Sequence, residues 1–370
     1  MEALLGVLQR LGRSLVTPVA VLPVAVLLVR LGQPDLLDVA VLRAAGEGIL
    51  GALPLLFALG VAVGFARRAD GTTALAAVVG YLVFDGVAEE VGGGPSPAGI
   101  LGGMVMGLVA AVLYERFHAV ELPSWLAFFG GRRFVPFATA LAGLVLGIAA
   151  GLAAPPLVTA LTGRPDPGWP MAGLYGLVNR GLLPFGLHHL PNSVVWFVSG
   201  SYEGTEGEIP RYFAGDPHAG GYLAGFFPVL MFGLPGAALA IWHCAEPARR
   251  KRVGAMMGAA ALASFVTGVS EPIEFAFVFA APLLYLVHSL LTALSMGLLN
   301  ALGAQLGFGF SAGLIDLLLN ATAPNTRRLP LIVALGVVYF FAYYGVFRLL
   351  ITRFDLPTPG RAADEEESED

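Results

Sequence analysis

The sequence predicts an all-α polytopic membrane protein with about ten transmembrane helices. Hydrophobic residues make up 56% of the 370 residues and charged residues only 13%, whereas about a quarter of the residues in soluble domains are charged. The mean hydropathy is +0.76, and several apolar segments approach the roughly 20 residues that cross a bilayer. Glycine (49) and proline (26) are frequent enough to indicate kinked or re-entrant helices.

The apolar segments follow one another along nearly the whole chain. An amphipathic start at 1–13 precedes segments at about 14–31, 48–66, 72–88, 98–114, 134–161, 168–178, 222–243, 253–267, 274–300 and 330–350. The mixed stretch 115–133, in which charged residues alternate with Trp125, Phe128 and Phe129, is typical of an interfacial helix. The longest polar insertion is 199–221.

The distribution of arginine predicts how the chain crosses the membrane. Lysine and arginine are enriched in cytoplasmic loops, and the residues expected there are Arg10, Arg13, Arg67, Arg68, Arg116, Arg132, Arg133, Arg249, Arg250, Lys251, Arg252, Arg348 and Arg353. The loops 85–97 and 155–170 carry mainly acids. The alternation fits the first five spans, so we expect the amino terminus, and with it the carboxy terminus, to be cytoplasmic.

A division near residue 165 separates a regular five-span half from a half that Pro and Gly interrupt. We expect a first membrane half at 1–165, a transport half at 166–356 and a tail at 357–370. Six acids in the last seven residues make the tail typical of a solvated, disordered run. Cys244 is the single cysteine, so no intrachain disulfide or cysteine-based metal cluster is expected. No cleavable signal peptide is evident. Outside the acidic tail and Arg361 the chain carries no net charge, which gives no reason to expect a nucleic-acid partner.

Two carboxylates lie inside apolar sequence at residues 268–275, which read GVSEPIEF. From 253 to 325 the chain contains no Lys or Arg, and its titratable groups of interest are Glu271, Glu274, Asp316 and His288. A charged side chain inside a membrane usually faces a cavity or a substrate pathway. Gly268 and Pro272 indicate that one helix ends and another begins here, an arrangement that suits acids at a helix start. We therefore expect a substrate site at the pair, and a capping or orienting role for Asp316.

A second polar stretch, residues 179–193, reads NRGLLPFGLHHLPNS. Adjacent helical residues diverge by about 100°, so His188 and His189 face one site only if the backbone bends. Either could be a capped core histidine, or could lie near Glu271 and Glu274, hold a substrate hydroxyl and exchange its proton. Zinc also suits His with Glu, but adjacent histidines lack the usual i, i+4 spacing. We expect no metal and no other cofactor.

These motifs together resemble the membrane (IIC) component of bacterial phosphotransferase-system sugar permeases, in particular the glucose and N-acetylglucosamine family. The resemblance covers nearly the whole chain. Besides GVSEPIEF, the matching runs are LQRLGR (8–13), PLLFA (54–58), FFGGRRFVP (128–136), GLHH (186–189), FAGDP (213–217), APLLY (281–285) with His288, GFGFSAG (307–313) and TPGR (358–361).

The resemblance implies a mechanism as well as a fold. Such permeases are homodimers in the bacterial cytoplasmic membrane, with an amino-terminal dimerisation half and a transport half that contains two re-entrant hairpins. The sugar sits between the hairpins and moves with them, and a phosphocysteine of a IIB domain phosphorylates its C6 hydroxyl. By this resemblance His188, His189 and Glu271 contact the sugar and take part in catalysis, with Asn192 and Glu274 as further sugar contacts.

Departures from the family pattern refine the prediction. Beyond TPGR the sequence has nine more residues, with no IIB cysteine motif and no IIA histidine domain. We therefore expect a chain that carries no phosphoryl group and that uses a separate phosphorylated IIB protein, supplied through IIA, HPr and enzyme I. PNSVVWF (191–197) and FSAG (310–313) favour N-acetylglucosamine as the substrate, whereas IPRY (209–212) and PFG (184–186) suit the glucose branch equally.

The residues taken alone leave other functions open. Glu271 and Glu274 could form the ion site of a proton- or sodium-coupled sugar transporter. His188, His189 and Glu271 could belong to a membrane metalloenzyme, and a sensor without transport is a further class. The resemblance favours the phosphotransferase permease over these alternatives.

Overall fold

The computed structural model describes residues 10–11, 14–15, 17–18, 20–93, 99–162 and 168–361. Most of the amphipathic start predicted at 1–13 and most of the acidic tail predicted at 357–370 lie outside these residues. The predicted all-α class is confirmed. Within the described ranges the paired strands are confined to one hairpin, in which β1 (Ser201–Tyr202) runs antiparallel to β2 (Thr205–Glu206).

The longer helices overlap the predicted apolar segments. In chain order they are α1 (Leu22–Leu31), α2 (Ala40–Gly51), α3 (Leu53–Phe65), α4 (Gly71–Gly92), α5 (Gly99–Phe117), α6 (Phe134–Thr162), α7 (Trp169–Leu182), α8 (His189–Phe197), α9 (Glu208–Phe213), α10 (Leu234–Cys244), α11 (Arg250–Thr267), α12 (Glu271–Glu274), α13 (Pro282–Ala301), α14 (Leu314–Asn320) and α15 (Leu329–Arg353). Helices α2, α8, α9 and α14 lie mostly or wholly outside the predicted apolar segments. Short 3₁₀ turns cover Ser124–Phe129, Gly131–Arg133 and Leu183–Phe185, and a π-helical turn covers Pro228–Gly233.

Fewer helices than the predicted ten can cross a membrane by length and composition. Five described helices meet that standard, and a sixth span results if α2 and α3, which are bent by 52° at their junction, count as one. Other apolar helices, Leu22–Leu31 and Pro228–Cys244, are shorter. Proline explains part of the difference, because Pro54 opens α3 and Pro228 opens the π-helical turn, and proline disrupts a continuous helix.

The chain forms two compact units, which we describe separately. The first comprises 1–166 and 185–210, and the second comprises 167–184 and 211–370. The first boundary lies beside the division predicted at residue 165. Residues 185–210, which carry the paired histidines, nevertheless belong to the first unit.

Small residues allow the helices of the first unit to approach closely. A Cβ atom added to Gly143 on α6 would lie 2.5 Å from the Gly80 carbonyl oxygen on α4, and one added to Gly107 on α5 would lie 2.4 Å from the Ala58 carbonyl oxygen on α3. Apolar burial drives helix association weakly in lipid, so close packing at small residues supplies much of it. The α4–α6 and α3–α5 pairs therefore form the core of this unit.

Polar contacts join two loops at one end of the first unit. Asp70 caps α4, accepts a hydrogen bond from the Tyr114 hydroxyl at 2.9 Å, and pairs with Arg132 Nη1 at 2.9 Å. The backbone N–H of Arg67 donates to Glu115 Oε1 at 2.8 Å. The α3–α4 and α5–α6 loops thus lie at the same end, which fits the expectation that their arginines share one side of the membrane.

The segment between α5 and α6 differs from the interfacial helix expected at 115–133. It forms 3₁₀ turns, because Pro123 precedes the first turn and Gly131, with φ of +63°, interrupts the chain after it. Trp125 and Phe128 are exposed, and the Arg133 guanidinium lies 4.7 Å from the Phe128 ring centre. The exposed aromatic rings expected of this segment are therefore present without the α-helix.

The second unit contains two breaks in its helices. At the first, α11 ends before Gly268, and α12 and a run of turns lead to α13. At the second, Gln305 and Arg327 exchange backbone hydrogen bonds of 3.1 and 2.8 Å, so the chain between them, including α14, doubles back. The Ser311 hydroxyl donates to the Gly268 carbonyl oxygen at 2.9 Å. The two breaks therefore touch, and the first lies where Gly268 and Pro272 predicted an interrupted helix.

Candidate functional site

The predicted acidic pair lies on α12, immediately after the first break. Gly268 ends α11 with φ of +75°, a conformation that glycine adopts at helix ends without steric strain. Ser270 then precedes a single helical turn that contains Pro272. Glu271 is half-buried, whereas Glu274 is fully buried. The two carboxylates, three residues apart in sequence, thus have different surroundings.

The Glu274 carboxylate is the centre of a buried polar cluster. Its Oε1 accepts hydrogen bonds from Arg180 Nη1 at 2.6 Å and from His288 Nε2 at 2.9 Å. Its Oε2 accepts a bond from the Ser270 hydroxyl at 3.3 Å. A buried carboxylate is tolerated when it is paired and hydrogen-bonded in this way. Glu274 is therefore held by partners from α7, from α13 and from its own loop.

Arg180 supplies the positive charge of this cluster from α7. It is the one charged residue of that helix, and only 4% of its surface is exposed. Its guanidinium carbon lies 5.4 Å from the Phe226 ring centre, and its carbonyl oxygen accepts a hydrogen bond of 2.5 Å from the Tyr285 hydroxyl. Within the described residues, Nε of this side chain has no hydrogen-bond partner. Glu274 thus neutralises Arg180 and leaves part of its donor capacity unused.

The Glu271 carboxylate has no such partners. Among the described residues no side chain donates a hydrogen bond to it and none forms an ion pair with it, although it belongs to the same turn as Glu274. The backbone N–H groups of Ser270 and of Glu271 itself donate to this carboxylate. A carboxylate can accept several hydrogen bonds, so Glu271 retains the remaining capacity for a ligand. Glu274 is therefore a structural acid, whereas Glu271 is available to bind a ligand.

Asp316 has the capping role expected from the sequence. On α14 it is buried, and it accepts hydrogen bonds from the backbone N–H groups of Gly309 at 2.6 Å and Ser311 at 3.4 Å. The prediction that Asp316 orients backbone is confirmed. It fixes the loop whose Ser311 reaches the Gly268 break.

The paired histidines lie in the first unit. Gly186, with φ of +70°, bends the chain just before them; His188 precedes α8 and His189 begins it. Their ring centres are 4.1 Å apart, so the two rings lie side by side. Among the described residues, Nδ1 of His189 has no hydrogen-bond partner. Asn192, one turn further along, is buried.

The core of the first unit holds α8 in place. Phe197, at its end, packs edge-to-face on Phe57 at 5.7 Å between ring centres. Leu190 and Trp196 pack against the same apolar cluster. The histidines thus lie on an element that is fixed at its far end by aromatic packing.

No role was predicted for Arg180 or Tyr343, and none for His288 beyond its titratable side chain. A signal for Arg180 was present, because an isolated arginine in an apolar helix requires a buried partner. Nothing comparable marks Tyr343, because one tyrosine among the aromatic residues of α15 has no distinguishing pattern. No group of three or more His, Cys, Asp or Glu side chains in the described ranges is arranged to hold a metal ion.

Replacing Gly268 by alanine is expected to destabilise the second unit by about 1–2 kcal/mol or more. A left-handed conformation costs an alanine about that amount, and the new Cβ would lie 2.7 Å from both Cβ and Oγ of Ser311. Gly258→Ala is the matched control on α11, because nothing lies within 4 Å of its added Cβ. Thermal unfolding in detergent should show a lower midpoint for Gly268→Ala alone. Equal midpoints for the two variants would contradict a strained contact at the break.

Known proteins share this sequence along nearly its full length. The family model for "Phosphotransferase system, EIIC" matches residues 12–293. The chain is 47% identical over 396 residues to the "PTS system N-acetylglucosamine-specific EIIC component" of Streptomyces coelicolor, covering 97% of this chain and 93% of that protein.

Two longer relatives contain this sequence as one part. The chain is 44% identical to the "PTS system N-acetylglucosamine-specific EIICBA component" of Escherichia coli, covering 98% of this chain and 58% of that protein. It is 39% identical to the "PTS system glucose-specific EIICBA component" of Staphylococcus saprophyticus, covering 97% of this chain and 60% of that protein. The chain therefore spans less than two thirds of either protein.

Proposed function

Because the chain belongs to the phosphotransferase-system EIIC family, we propose that it binds N-acetylglucosamine and moves it across the membrane while the C6 hydroxyl is phosphorylated. The chain is a multi-pass membrane component of a sugar transport system. The substrate assignment is supported by the names of the relatives, since the two named for N-acetylglucosamine are more similar to this chain than the one named for glucose.

Glu271 carries this proposal, because its carboxylate is half-buried and has no side-chain partner within the described residues. A sugar hydroxyl donates strongly to a charged acceptor. As the C6 oxygen attacks the phosphorus of the phosphocysteine, its proton passes to the Glu271 carboxylate, the sulfur–phosphorus bond breaks and the cysteine leaves as a thiolate. General base catalysis of this kind contributes about 10²–10⁴-fold to a rate.

The other predicted site residues have distinct proposed roles. Both Glu274 oxygens are engaged, so we assign it to supporting α12 and leave the direct contact to Glu271. His188, His189 and Asn192 remain proposed sugar contacts by family resemblance. His189 has a ring nitrogen available to donate to a sugar oxygen or accept from a sugar hydroxyl.

Phosphoryl transfer requires a second protein in this proposal. A separate phosphorylated IIB protein supplies the phosphoryl group, with IIA, HPr and enzyme I upstream, and no residue of this chain carries it. The burial of Cys244 supports that assignment, because a phosphoryl carrier must be reached by its partners. We also propose a homodimer with both termini in the cytoplasm, on the side of the arginine-rich loops.

The test uses membrane vesicles that contain the protein, purified phosphorylated IIB and a panel of radiolabelled sugars. We expect labelled N-acetylglucosamine 6-phosphate, and no product with unphosphorylated IIB or with vesicles that lack the protein. Glucose 6-phosphate as the main product would reassign the substrate within the same class. Accumulation of unmodified sugar that collapses with an uncoupler would instead identify a gradient-driven transporter.

A further inference from the structure

We propose that His288 and Tyr343 are positioning residues that hold Glu274 and, through the shared turn α12, fix the orientation of Glu271. The inference rests on the proposed function of Glu271. His288 on α13 and Tyr343 on α15 touch no substrate in this proposal and act through the buried Glu274.

A continuous chain of hydrogen bonds links these residues across three helices. The Tyr343 hydroxyl lies 2.9 Å from His288 Nδ1, and His288 Nε2 lies 2.9 Å from Glu274 Oε1. Tyr343, His288 and Glu274 each have essentially no exposed surface. The rings of Phe277 and Tyr285 lie 6.0 and 5.7 Å from the His288 ring centre. The chain is therefore enclosed by aromatic side chains.

The direction of each hydrogen bond follows from the acceptor at one end. Glu274, which is paired with Arg180, is a carboxylate and only accepts, so Nε2 of His288 must carry a proton and donate. In a neutral ring Nδ1 is then an acceptor. The Tyr343 hydroxyl donates to it at 2.9 Å, the shorter of its two contacts with His288, because the His288 carbonyl oxygen is 3.4 Å away. Glu274 thus selects the tautomer of His288, and the Tyr343 hydroxyl satisfies the Nδ1 lone pair that this tautomer leaves buried. In the other tautomer an Nε2 lone pair would face the carboxylate.

The turn that carries both acids depends on such external contacts. One helical turn is unstable by itself, because a nucleus fixes several dihedral angles for a single hydrogen bond. Glu274, held by Arg180, His288 and Ser270, is the most strongly bound residue of α12. Glu271 lies one turn away on the same backbone. A small shift of Glu274 therefore displaces the Glu271 carboxylate, and a displacement of about 1 Å can lower a rate by about 10²-fold.

Tyr343→Phe is the direct test, because it removes only the hydroxyl. With phosphorylated IIB, we expect kcat per folded molecule to fall by about 10- to 100-fold, as for other residues that orient a functional group, with a much smaller change in KM. His288→Gln is expected to retain more activity than His288→Asn, because the Gln side-chain amide can occupy the Nε2 position and donate to Glu274. Adding Tyr343→Phe to His288→Gln should then change kcat little.

Tyr339→Phe is the matched control. Tyr339 lies one turn earlier on α15, and its hydroxyl donates to the Leu291 carbonyl oxygen on α13 at 2.9 Å. This variant loses a hydroxyl–α13 hydrogen bond of the same length that does not belong to the chain ending at Glu274, and it should keep the wild-type kcat. If Tyr343→Phe also keeps the wild-type kcat and loses only stability, the pair is structural and the inference is wrong.

Glu271→Gln separates this inference from the proposed function. If Glu271→Gln is inactive while Tyr343→Phe has full activity, the proposed role of Glu271 stands and only the positioning role fails. If Glu271→Gln is fully active, the proposed role of Glu271 fails and the positioning role fails with it. Loss of kcat in both variants, with Tyr339→Phe active, is the result we expect.

Discussion

Replacement of Glu271 by glutamine is expected to lower sugar phosphorylation by about 10²–10⁴-fold, the range that general base catalysis contributes. Glutamine keeps the size and an acceptor oxygen but cannot take the C6 proton as a carboxylate can. Insertion and folding should be unchanged, because no side chain in the described ranges depends on the Glu271 carboxylate. The rate is measured as labelled sugar phosphate formed per amount of folded protein, at saturating phosphorylated IIB.

Two further variants complete this test. Glu246→Gln changes an acid that is exposed in the turn between α10 and α11, and it should phosphorylate sugar at the wild-type rate. His189→Ala should lose phosphorylation severely, as Glu271→Gln does. Normal phosphorylation by both Glu271→Gln and His189→Ala would remove these residues from the proposed site.

Breaking the buried Arg180–Glu274 pair is expected to have the largest effect on stability. Arg180 Nη1 and Glu274 Oε1 are 2.6 Å apart, and 5% of the Arg180 side chain and 0% of the Glu274 side chain are exposed. Removing one partner of such a pair typically costs about 3–5 kcal/mol, because the other charge stays buried and uncompensated. We expect Arg180→Met and Glu274→Gln each to lower the free energy of unfolding in this range. Denaturant or thermal unfolding in detergent measures the change.

The double variant tests whether the two losses share a cause. In Arg180→Met with Glu274→Gln no buried charge is left without its partner, so the combined loss should be smaller than the sum of the single losses. Arg43→Met is the control. Arg43 Nε and Glu47 Oε1 are 3.7 Å apart, and 45% and 60% of these side chains are exposed. Such exposed pairs contribute under about 1 kcal/mol to the free energy of unfolding. Additive losses in the double variant would exclude a direct coupling between Arg180 and Glu274.

Local sequence signals predicted the helix break well. Gly268 and Pro272 act on the backbone beside them, and the GVSEPIEF run therefore showed both the break and the acids. Asp316 was also assigned correctly, because it caps a loop only a few residues away. Both predictions depend on short-range chemistry, which a single sequence displays directly.

The different roles of Glu271 and Glu274 depend on residues far along the chain. Arg180 is 94 residues from Glu274, and Tyr343 is 55 residues from His288. No periodicity or spacing reveals such pairs, so the sequence presented both acids as alike. Within the described residues, five or six helices have the length and composition of a span, fewer than the number of apolar segments, for a related reason. Apolar composition does not show where Pro54 or Pro228 divides a segment.

The Arg180–Glu274 pair also has a consequence for the order of biosynthesis. Arg180 emerges from the ribosome 94 residues before its partner, which at about 5–20 residues per second is a delay of roughly 5 to 20 s. Arg180 lies in the last turn of α7, and a charged side chain at membrane depth needs a partner. Until Glu274 has been made, Arg180 on α7 lacks its buried partner. The polar cluster of the second unit therefore forms only after α12 and α13 have been synthesised.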